Sequence, residues 1–364
     1  MQKTVEVSVI IAAYNVENYL ERAIRSILDQ SFDEFEIIVV DDGSSDKTGE
    51  IAKNLAEEDE RICVYQLENR GVSAARNFAI EKARGKYIYF MDSDDYVDST
   101  MLFDTYEQIT RTNVDLVVFG FYFETWKDNN LVQQFPTNSN YSVYDNKKQI
   151  QNQFVYLWNC DIFYNVWNKI FVADIIKRKK IYFQEMKFGE DLQFNIDYLY
   201  NCSSIITLDK CYYHYIRERQ GAATYSYIKD LFQIRKGEYK NLRKLFKYWD
   251  VMGKDGKEYV SRRYVERVVG CIENIFEKGG PRTIKEKLKE IRMISNDKSV
   301  QYSIRYACPN SRSIKIVLFL LKYKYTILLY LFGSTAFMIR RKFPIIFNKL
   351  KYSRYKRKIN KKDL

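Results

Sequence analysis

The segment KYIYFMDSDD, residues 86–95, joins an apolar run directly to a group of carboxylates. An unbroken apolar run is typical of a strand that is covered on both faces in a parallel sheet. In such sheets, ligands bind outside the carboxyl ends of the strands. The segment therefore predicts a buried strand whose end carries a functional site.

Strand and helix patterns alternate on both sides of this segment. Four further strand-like runs are VSVIIAAY (7–14), FEIIVVDDGS (35–44), RICVYQL (61–67) and VDLVVFGFYF (114–123). Between them, apolar residues recur at helical spacing, as at Leu20, Ala23 and Ile27. The alternation predicts an α/β domain with a mostly parallel central sheet and right-handed crossovers. Residues 226–310 are charged and helical in pattern, so we expect a helical C-terminal extension.

Polar groups follow three of the predicted strands, at residues 12–15, 41–44 and 92–95. In the last group, Asp92, Asp94 and Asp95 offer three carboxylates within four residues. In an extended stretch, Asp92 and Asp94 point to the same side and Asp95 to the other. Mg²⁺ and Mn²⁺ bind carboxylate oxygens and leave room for phosphate oxygens. We therefore expect a metal site for a diphosphate here, with an acidic turn as the alternative.

The second strand end suggests a nucleoside site. Asp41 or Asp42 could accept the N3–H of a uracil, and Tyr14 could stack on the base. The alternative is a turn that leads into the next helix, which Ser44 or Ser45 would cap in either interpretation. The two roles are compatible.

Five motifs occur in a fixed order: VSVIIAAYN, VVDDGSSD, NRGVSAARN, FMDSDD and FGEDLQF. Together they resemble glycosyltransferase family 2 over about residues 5–225. The resemblance implies the nucleotide-diphospho-sugar transferase fold called GT-A, a UDP-sugar donor and inversion of the anomeric centre. It also implies that Ala12, Tyr14 and Asp42 contact the nucleoside. The family often has Pro or Thr where Ala12 stands, so Ala12 would contribute backbone contacts only.

The resemblance assigns the remaining donor-side residues. Arg76 would lie near the phosphates, and Asp92-Ser93-Asp94 would form the metal-binding DxD motif with Mn²⁺ or Mg²⁺. Glu190-Asp191 would be the ED motif, with Asp191 as the base that takes the proton of the acceptor hydroxyl. Without the resemblance, two acidic residues at a helix start are ordinary first-turn residues.

Two segments before and after the ED motif leave alternatives open. Trp167-Asn168-Lys169 resembles a segment that is frequent in the family, and we expect it on the acceptor side or in the core. His214, Arg217 and Arg219 lie in YYHYIRERQGAAT, which resembles the family segment that closes over the diphosphate. These three side chains would contact phosphate or metal, and a structural role for the single His of the chain is the alternative.

The net charge of +12 is concentrated at the C-terminus. Residues 340–364 hold eleven Lys or Arg and one Asp, so the preceding 339 residues are nearly neutral. A polybasic stretch next to an apolar one is typical of contact with an anionic membrane surface. RNA binding is the weaker interpretation, because no base-reading module is visible.

The apolar run before the basic stretch favours docking on a membrane. Its longest charge-free part, residues 325–339, has 15 residues, whereas a spanning helix needs about 20. Extending the run backwards would place Lys322 and Lys324 within the bilayer. We expect residues 311–364 to lie at the interface, with a helix packed on the protein as the alternative. The predicted divisions are therefore 1–225 (a nucleotide-sugar half, 1–125, and an acceptor half, 126–225), 226–310 and 311–364.

Other functional classes fit less well. A dinucleotide-binding oxidoreductase needs GxGxxG after the first strand, where this chain has AAYNVENY. A non-catalytic nucleotide-sugar-binding or scaffold protein of the same fold remains the alternative. The start of the chain does not resemble a signal peptide and the cysteines form no metal-site pattern, so we expect a cytoplasmic protein at the inner membrane face. The expected acceptor is a saccharide, or a lipid-linked saccharide, of bacterial surface polysaccharide.

Overall fold

The structure is a computed structural model that describes residues 4–127, 130–186, 188–217, 227–309 and 311–342. The chain divides into two compact units, residues 1–218 and residues 219–364. The first is an α/β unit and the second is helical.

The α/β unit begins with the strand–helix alternation that the sequence predicts. Its first elements are β1 (Val7–Ala13), α1 (Leu20–Leu28), β2 (Phe35–Asp41), α2 (Thr48–Glu58), β3 (Ile62–Gln66), α3 (Val72–Lys82), β4 (Tyr87–Asp92), β5 (Tyr96–Val97), α4 (Met101–Thr112) and β6 (Leu116–Lys127). All seven positions of β2 are buried. Its buried Glu36 accepts hydrogen bonds from Ser8 and Arg84, so the charge is compensated.

The second half of this unit adds strands to the same sheet. Its elements are β7 (Asn130–Thr137), β8 (Ser142–Tyr144), α5 (Lys147–Asn159), β9 (Lys169–Val172), α6 (Ala173–Lys179), α7 (Glu190–Leu199) and β10 (Ile205–Arg217). The strand order is β3-β2-β1-β4-β9-β6-β10-β5, with β7 paired to β6 and β8 paired to β10. Strand β9 runs antiparallel to both of its neighbours and lies between β4 and β6. Strands β3, β2, β1, β4, β6 and β10 share one direction, so the central sheet is mostly parallel, as predicted.

Register brings the predicted strand ends together. Ala13 pairs with Asp41 on one side of β1, and Ala12 pairs with Asp92 on the other. The carboxyl ends of β2, β1 and β4 therefore lie side by side at one edge of the sheet.

Helix α3 packs closely on this sheet because its inward residues are small. Ser73, Ala75 and Ala79 are buried, and the helix contacts β1 and β2. Gly71, at φ +91°, makes the turn into the helix in a conformation that favours glycine. The buried face of α3 also carries Arg76, which is only 5% exposed.

The helical unit contains α8 (Leu231–Tyr248), α9 (Lys254–Asn274), α10 (Ile284–Asn296), α11 (Lys298–Ile304), α12 (Arg312–Lys322) and α13 (Thr326–Lys342). This confirms the expected helical C-terminal extension. Stacked rings join α8 to α9, as for Tyr239 and Tyr264 at 4.2 Å. Among the described residues, no helix combines the length and the apolarity that crossing a membrane requires.

Candidate functional site

Three carboxylates cluster at the carboxyl end of β4. One oxygen from each of Asp92, Asp94 and Asp95 lies within 4.8 Å of the others, and this is the group among the described residues that could hold a metal ion. A set of carboxylate oxygens is the donor chemistry that Mg²⁺ and Mn²⁺ prefer. The cluster therefore fits the divalent metal that the sequence predicts.

Asp95 is the buried member of the cluster and is held by β10. Its Oδ2 accepts a hydrogen bond of 2.7 Å from the Tyr213 hydroxyl, and its Oδ1 accepts one of 2.9 Å from the Ile216 amide. Burial, and after it the charge of Asp92, raise the pKa of Asp95 well above its usual range. The Tyr213 hydroxyl also accepts a bond from the Asp92 amide at 3.3 Å, so one side chain contacts both ends of the cluster.

Arg76 joins the cluster to the start of α7. Its guanidinium donates to Asp92 Oδ1 at 2.7 Å and to Asp191 Oδ1 at 2.8 Å. Burial lowers the pKa of Arg76, but the charges of Asp191, Asp92 and Glu190 outweigh this effect, so the net pKa is raised. The Arg76 guanidinium thus holds the carboxylates of Asp92 and Asp191 close to each other.

Glu190 and Asp191 open α7 behind Gly189, which has φ +90°. Burial, and after it the charge of Asp191, raise the pKa of Glu190 to about 7. Asp191 Oδ1 is held by Arg76, whereas its Oδ2 has a long contact of 3.4 Å from the Val166 amide. Two adjacent carboxyl groups therefore have different environments.

The loops after β1 and β2 form the expected nucleoside side. Tyr14 is 49% exposed, so its ring is open to a ligand. Asp42 is buried and accepts hydrogen bonds from the Arg70 and Gly71 amides at 2.9 and 2.7 Å. Asp42 therefore connects the end of β2 to the start of α3. A carboxylate that accepts two hydrogen bonds still has lone pairs for a third hydrogen bond.

Asp41 and the two serines organise the turn itself. Asp41 Oδ1 accepts from the Ser44 amide at 3.0 Å, and its buried Oδ2 has no hydrogen-bond partner among the described residues. The expected cap at Ser44 or Ser45 is wrong, because α2 begins after Lys47 without a side-chain cap. Ser44 and Ser45 instead bond Asn15, which ties the β2 loop to the β1 loop.

Trp167 lies in the core behind the carboxylates. It is 3% exposed, and its ring stacks on Tyr213 at 4.1 Å and 12°. Lys169 is fully buried and donates to the Ile162 carbonyl at 2.7 Å. This segment thus takes the core alternative, where Trp167 supports the tyrosine that holds Asp95.

His214 is not brought into the carboxylate cluster. Its ring nitrogens lie 2.7 Å from Glu124 and 3.0 Å from Asp98, and its ring stacks on Tyr96. Burial lowers the pKa of His214, but hydrogen bonds to Glu124 and Asp98 outweigh it and raise the net pKa. Both nitrogens are bonded to carboxylates here, which favours the structural alternative, and the contact with phosphate or metal stays a prediction.

The other predicted residues complete the placement. Ser93 is buried between Asp92 and Asp94, and Ala12 lies near the carboxyl end of β1, where it pairs with β2 and β4. Arg217 ends β10, and only its backbone is described; Arg219 lies outside the described residues. Tyr213 and Trp167 are the supporting residues whose roles the sequence did not reveal.

A cavity of about 390 Å³ opens at the other end of β4. Its lining includes Tyr87, the first residue of that strand, and Lys86, Lys177 and one carboxylate, Asp174. It has no cluster of oxygen donors. We therefore locate the functional site by the chemistry at Asp92 and Asp191, not by the size of this cavity.

Comparisons with known proteins point to glycosyltransferases. The family model "Glycosyl transferase family 2" matches residues 8–167. The chain is 28% identical over 334 residues to the uncharacterised glycosyltransferase EpsJ of Bacillus subtilis, covering 90% of this chain and 95% of EpsJ. It is 49% identical over 90 residues to TuaG of the same organism, named for teichuronic acid biosynthesis, covering 24% of this chain and 36% of TuaG.

A solved structure with the same architecture is S. aureus TarS 1–349 in complex with UDP. Its TM-score is 0.63 at 22% identity, with 91% of each chain covered. The same TarS fragment has been solved with UDP-GlcNAc, at a TM-score of 0.62. The likeness confirms the predicted GT-A fold.

Proposed function

We propose that the chain, which matches the glycosyltransferase family 2 model over residues 8–167, moves a sugar from a UDP-sugar to an acceptor hydroxyl with inversion at the anomeric carbon. One observation carries the proposal: Arg76 joins Asp92 of the carboxylate cluster to Asp191 at the start of α7. A donor-side group and a candidate base are thereby fixed relative to each other across the sheet edge.

The donor assignment rests on the nucleoside side of the site. The exposed Tyr14 ring is available to cover a base, and Asp42 is anchored where it can accept an N–H. The fold neighbour TarS binds UDP and UDP-GlcNAc, which supports a uridine nucleotide. We infer that Asp42 meets the base, because the Arg70 and Gly71 amides fix its carboxylate next to the start of α3.

The cluster of Asp92, Asp94 and Asp95 would hold Mn²⁺ or Mg²⁺ against the diphosphate. When bound, the metal would stabilise the negative charge that develops on the leaving UDP. Tyr213 and the Ile216 amide keep Asp95 in place, and Arg76 orients Asp92. Preorganised groups of this kind cost no rearrangement during the reaction.

The acceptor reaction needs a base on the face of C1 opposite the leaving group. Asp191 Oδ2 takes the proton of the acceptor hydroxyl, the hydroxyl oxygen bonds to C1, and the bond from C1 to the phosphate oxygen breaks with its electron pair leaving on UDP. Arg76 holds Oδ1, so the second oxygen keeps one direction. Glu190, with its pKa of about 7, carries a proton for much of the time at neutral pH and can donate a hydrogen bond beside the base.

The proposed acceptor is a saccharide, or a lipid-linked saccharide, of a bacterial surface polysaccharide. Support comes from TuaG, which is named for teichuronic acid biosynthesis. We place the reaction at the cytoplasmic face of the cell membrane, which the basic stretch 340–364 supports. The match to EpsJ covers 90% of this chain and 95% of EpsJ, which supports a helical unit common to both proteins.

Donor and stereochemistry can be tested on the purified chain. UDP-glucose, UDP-galactose and their N-acetyl forms are ranked by thermal shift with Mn²⁺, and the best donor is then used in a UDP-release assay with short saccharide acceptors. NMR of the product reports the anomeric configuration. Release from GDP-sugars alone would reject the uridine assignment, and a retained configuration would reject the single displacement.

A further inference from the structure

We propose that the solvent-facing side of α12 and α13 docks the protein on an anionic bilayer. This docking face comprises Ile316, Phe319, Tyr323, Ile327, Leu328 and Leu331. The inference deepens the proposed cellular location and rests on the helical unit alone. It does not depend on the transferase chemistry.

The docking face is apolar and open to solvent. Ile316, Phe319, Ile327 and Leu331 are 55%, 54%, 67% and 53% exposed. Aromatic contacts continue the face across the turn between the helices, since the Phe319 ring lies 4.8 Å from Tyr323 and 6.1 Å from Tyr325. Large contiguous apolar patches are unusual on soluble surfaces and mark interaction sites.

The opposite sides of the two helices are already occupied by protein. Val317, Leu321 and Leu329 are fully buried. At Gly333, a Cβ atom would lie 2.7 Å from the Phe276 ring, so α13 approaches its neighbour closely only because this residue is glycine. A helix fixed by one side to its own unit can offer lipid only the other side, which corresponds to a helix lying along a membrane surface.

Charge identifies the occupant as an anionic surface. The exposed Lys315, Lys322 and Lys324 lie beside the apolar residues of the docking face. Residues 298–362 contain seventeen Lys or Arg and no Asp or Glu. Lysine side chains can place their stems along an apolar surface and their ammonium groups among headgroups.

A bilayer can bind both the apolar residues and the lysines of the docking face, whereas a nucleic acid can bind only the lysines. Phosphate headgroups pair with the lysines, and the acyl boundary below them receives Phe319 and Ile327. A phosphate backbone offers no apolar partner to Leu331 or Ile316. We therefore favour lipid over RNA as the partner of the docking face.

The test is sedimentation of the full chain with extruded vesicles of phosphatidylglycerol and phosphatidylcholine, compared with phosphatidylcholine alone. We expect binding to the anionic vesicles at low salt. Phe319→Ser with Ile327→Ser should lower the partition coefficient at least tenfold, because two apolar side chains no longer enter the acyl boundary. A separate variant, Lys322→Glu with Lys324→Glu, should also lower the partition coefficient and make it less dependent on salt concentration.

The matched control is Ile284→Ser with Met293→Ser on α10, which removes two apolar side chains of similar exposure, 62% and 51%, in the same unit. It should leave vesicle binding unchanged. Equal binding by the docking-face and control variants would overturn the inference. The inference would also be overturned if the docking-face variant kept its vesicle affinity and instead lost self-association. The same holds if it kept its vesicle affinity and lost RNA binding.

Activity separates this inference from the proposed function. UDP release with a short soluble acceptor should be the same in the wild-type chain and all three variants. Vesicle binding without any transfer would leave the docking face in place and reject the chemistry. Transfer without vesicle binding would reject the docking face alone.

Discussion

Arg76 and Asp191 are 115 residues apart in the sequence, and the guanidinium donates to the carboxylate across 2.8 Å. The same arginine reaches Asp92, and its side chain is only 6% exposed. A buried cation between two carboxylates is costly to remove, because each carboxylate would be left without its partner. The contact therefore sets both the stability of the site and the position of the candidate base.

Replacement of Arg76 by alanine should lower the free energy of unfolding by about 3–5 kcal/mol. Arg76→Lys keeps the charge but can pair with only one carboxylate, so it should lose less stability and still reduce kcat/KM by roughly 10²-fold. Urea unfolding and UDP-release kinetics measure the two effects. Arg178→Ala removes an exposed arginine from an ion pair on α6 and should change neither quantity. Normal turnover in Arg76→Lys would contradict the positioning role.

Asp191→Asn retains the size of the side chain but cannot accept the acceptor proton. We expect kcat to fall by roughly 10²–10⁴-fold while donor affinity persists, as measured by UDP release and by calorimetric titration of the donor. The control is Asp174→Asn, another acid in a first helical turn, whose side chain is 63% exposed. If both variants turn over normally, Asp191 serves only to begin α7.

Metal removal tests the carboxylate cluster. Excess chelator should abolish transfer, and Asp94→Ala should lower Mn²⁺ affinity and kcat/KM by at least roughly 10²-fold without changing the circular dichroism spectrum. Asp33→Ala, at a side chain 82% exposed, is the matched acid and should behave as wild type. Full activity in chelator would contradict a metal-dependent reaction.

Tyr213→Phe removes the hydroxyl that donates to Asp95. A hydrogen bond within a protein contributes about 0.5–1.5 kcal/mol, so the variant should be less stable by about that amount. Tyr212→Phe on the same strand loses an equivalent bond to Asp104, at 2.7 Å, and is the control. Stability should fall in both, whereas Mn²⁺ affinity should fall, about tenfold, in Tyr213→Phe alone. Equal Mn²⁺ affinities would show that Tyr213 supports the fold and not the cluster.

The pH dependence of stability should report Glu190. Its pKa rises from 4.5 to about 7 on folding, so the folded protein binds its proton more tightly than the unfolded chain. The contribution of Glu190 protonation to the free energy of unfolding is therefore fully present below pH 4.5. It is lost as the pH rises through about 7. Glu190→Gln should remove that slope, on the order of 1–3 kcal/mol between the two limits. The free energy of unfolding is measured against pH in metal-free buffer. If it varies with pH in the same way in the wild type and in Glu190→Gln, the prediction is wrong.

Strands β1, β2, β3, β4 and β6 could be predicted because each is a mainly apolar run that is followed by polar residues. Strand β9 could not be predicted, since four residues with no alternation carry little signal and its antiparallel insertion depends on β4 and β6, which are far away in the sequence. Pairing across such distances is set by tertiary packing and not by local preference.

In the site, too, local sequence does not predict which distant groups a side chain contacts. Alternation in YYHY predicts that neighbouring side chains point to opposite faces, but it does not say which face meets the carboxylates. The structure directs Tyr213 to Asp95 and His214 to Glu124, so the tyrosine, to which the sequence assigned no role, contacts the cluster. Asp92, Asp94 and Asp95 were predictable because a strand end fixes them locally.

The insertion of β9 between β4 and β6 has a consequence for biosynthesis. A ribosome makes β4 and β6 well before residues 169–172, so the parts of both strands that pair with β9 have no partner while β7, β8 and α5 are being translated. Unpaired edges recruit other chains and promote aggregation. A nascent chain that stops short of Val172 therefore exposes the edges of β4 and β6 that β9 later covers, and chaperone binding during this interval would keep them from other chains.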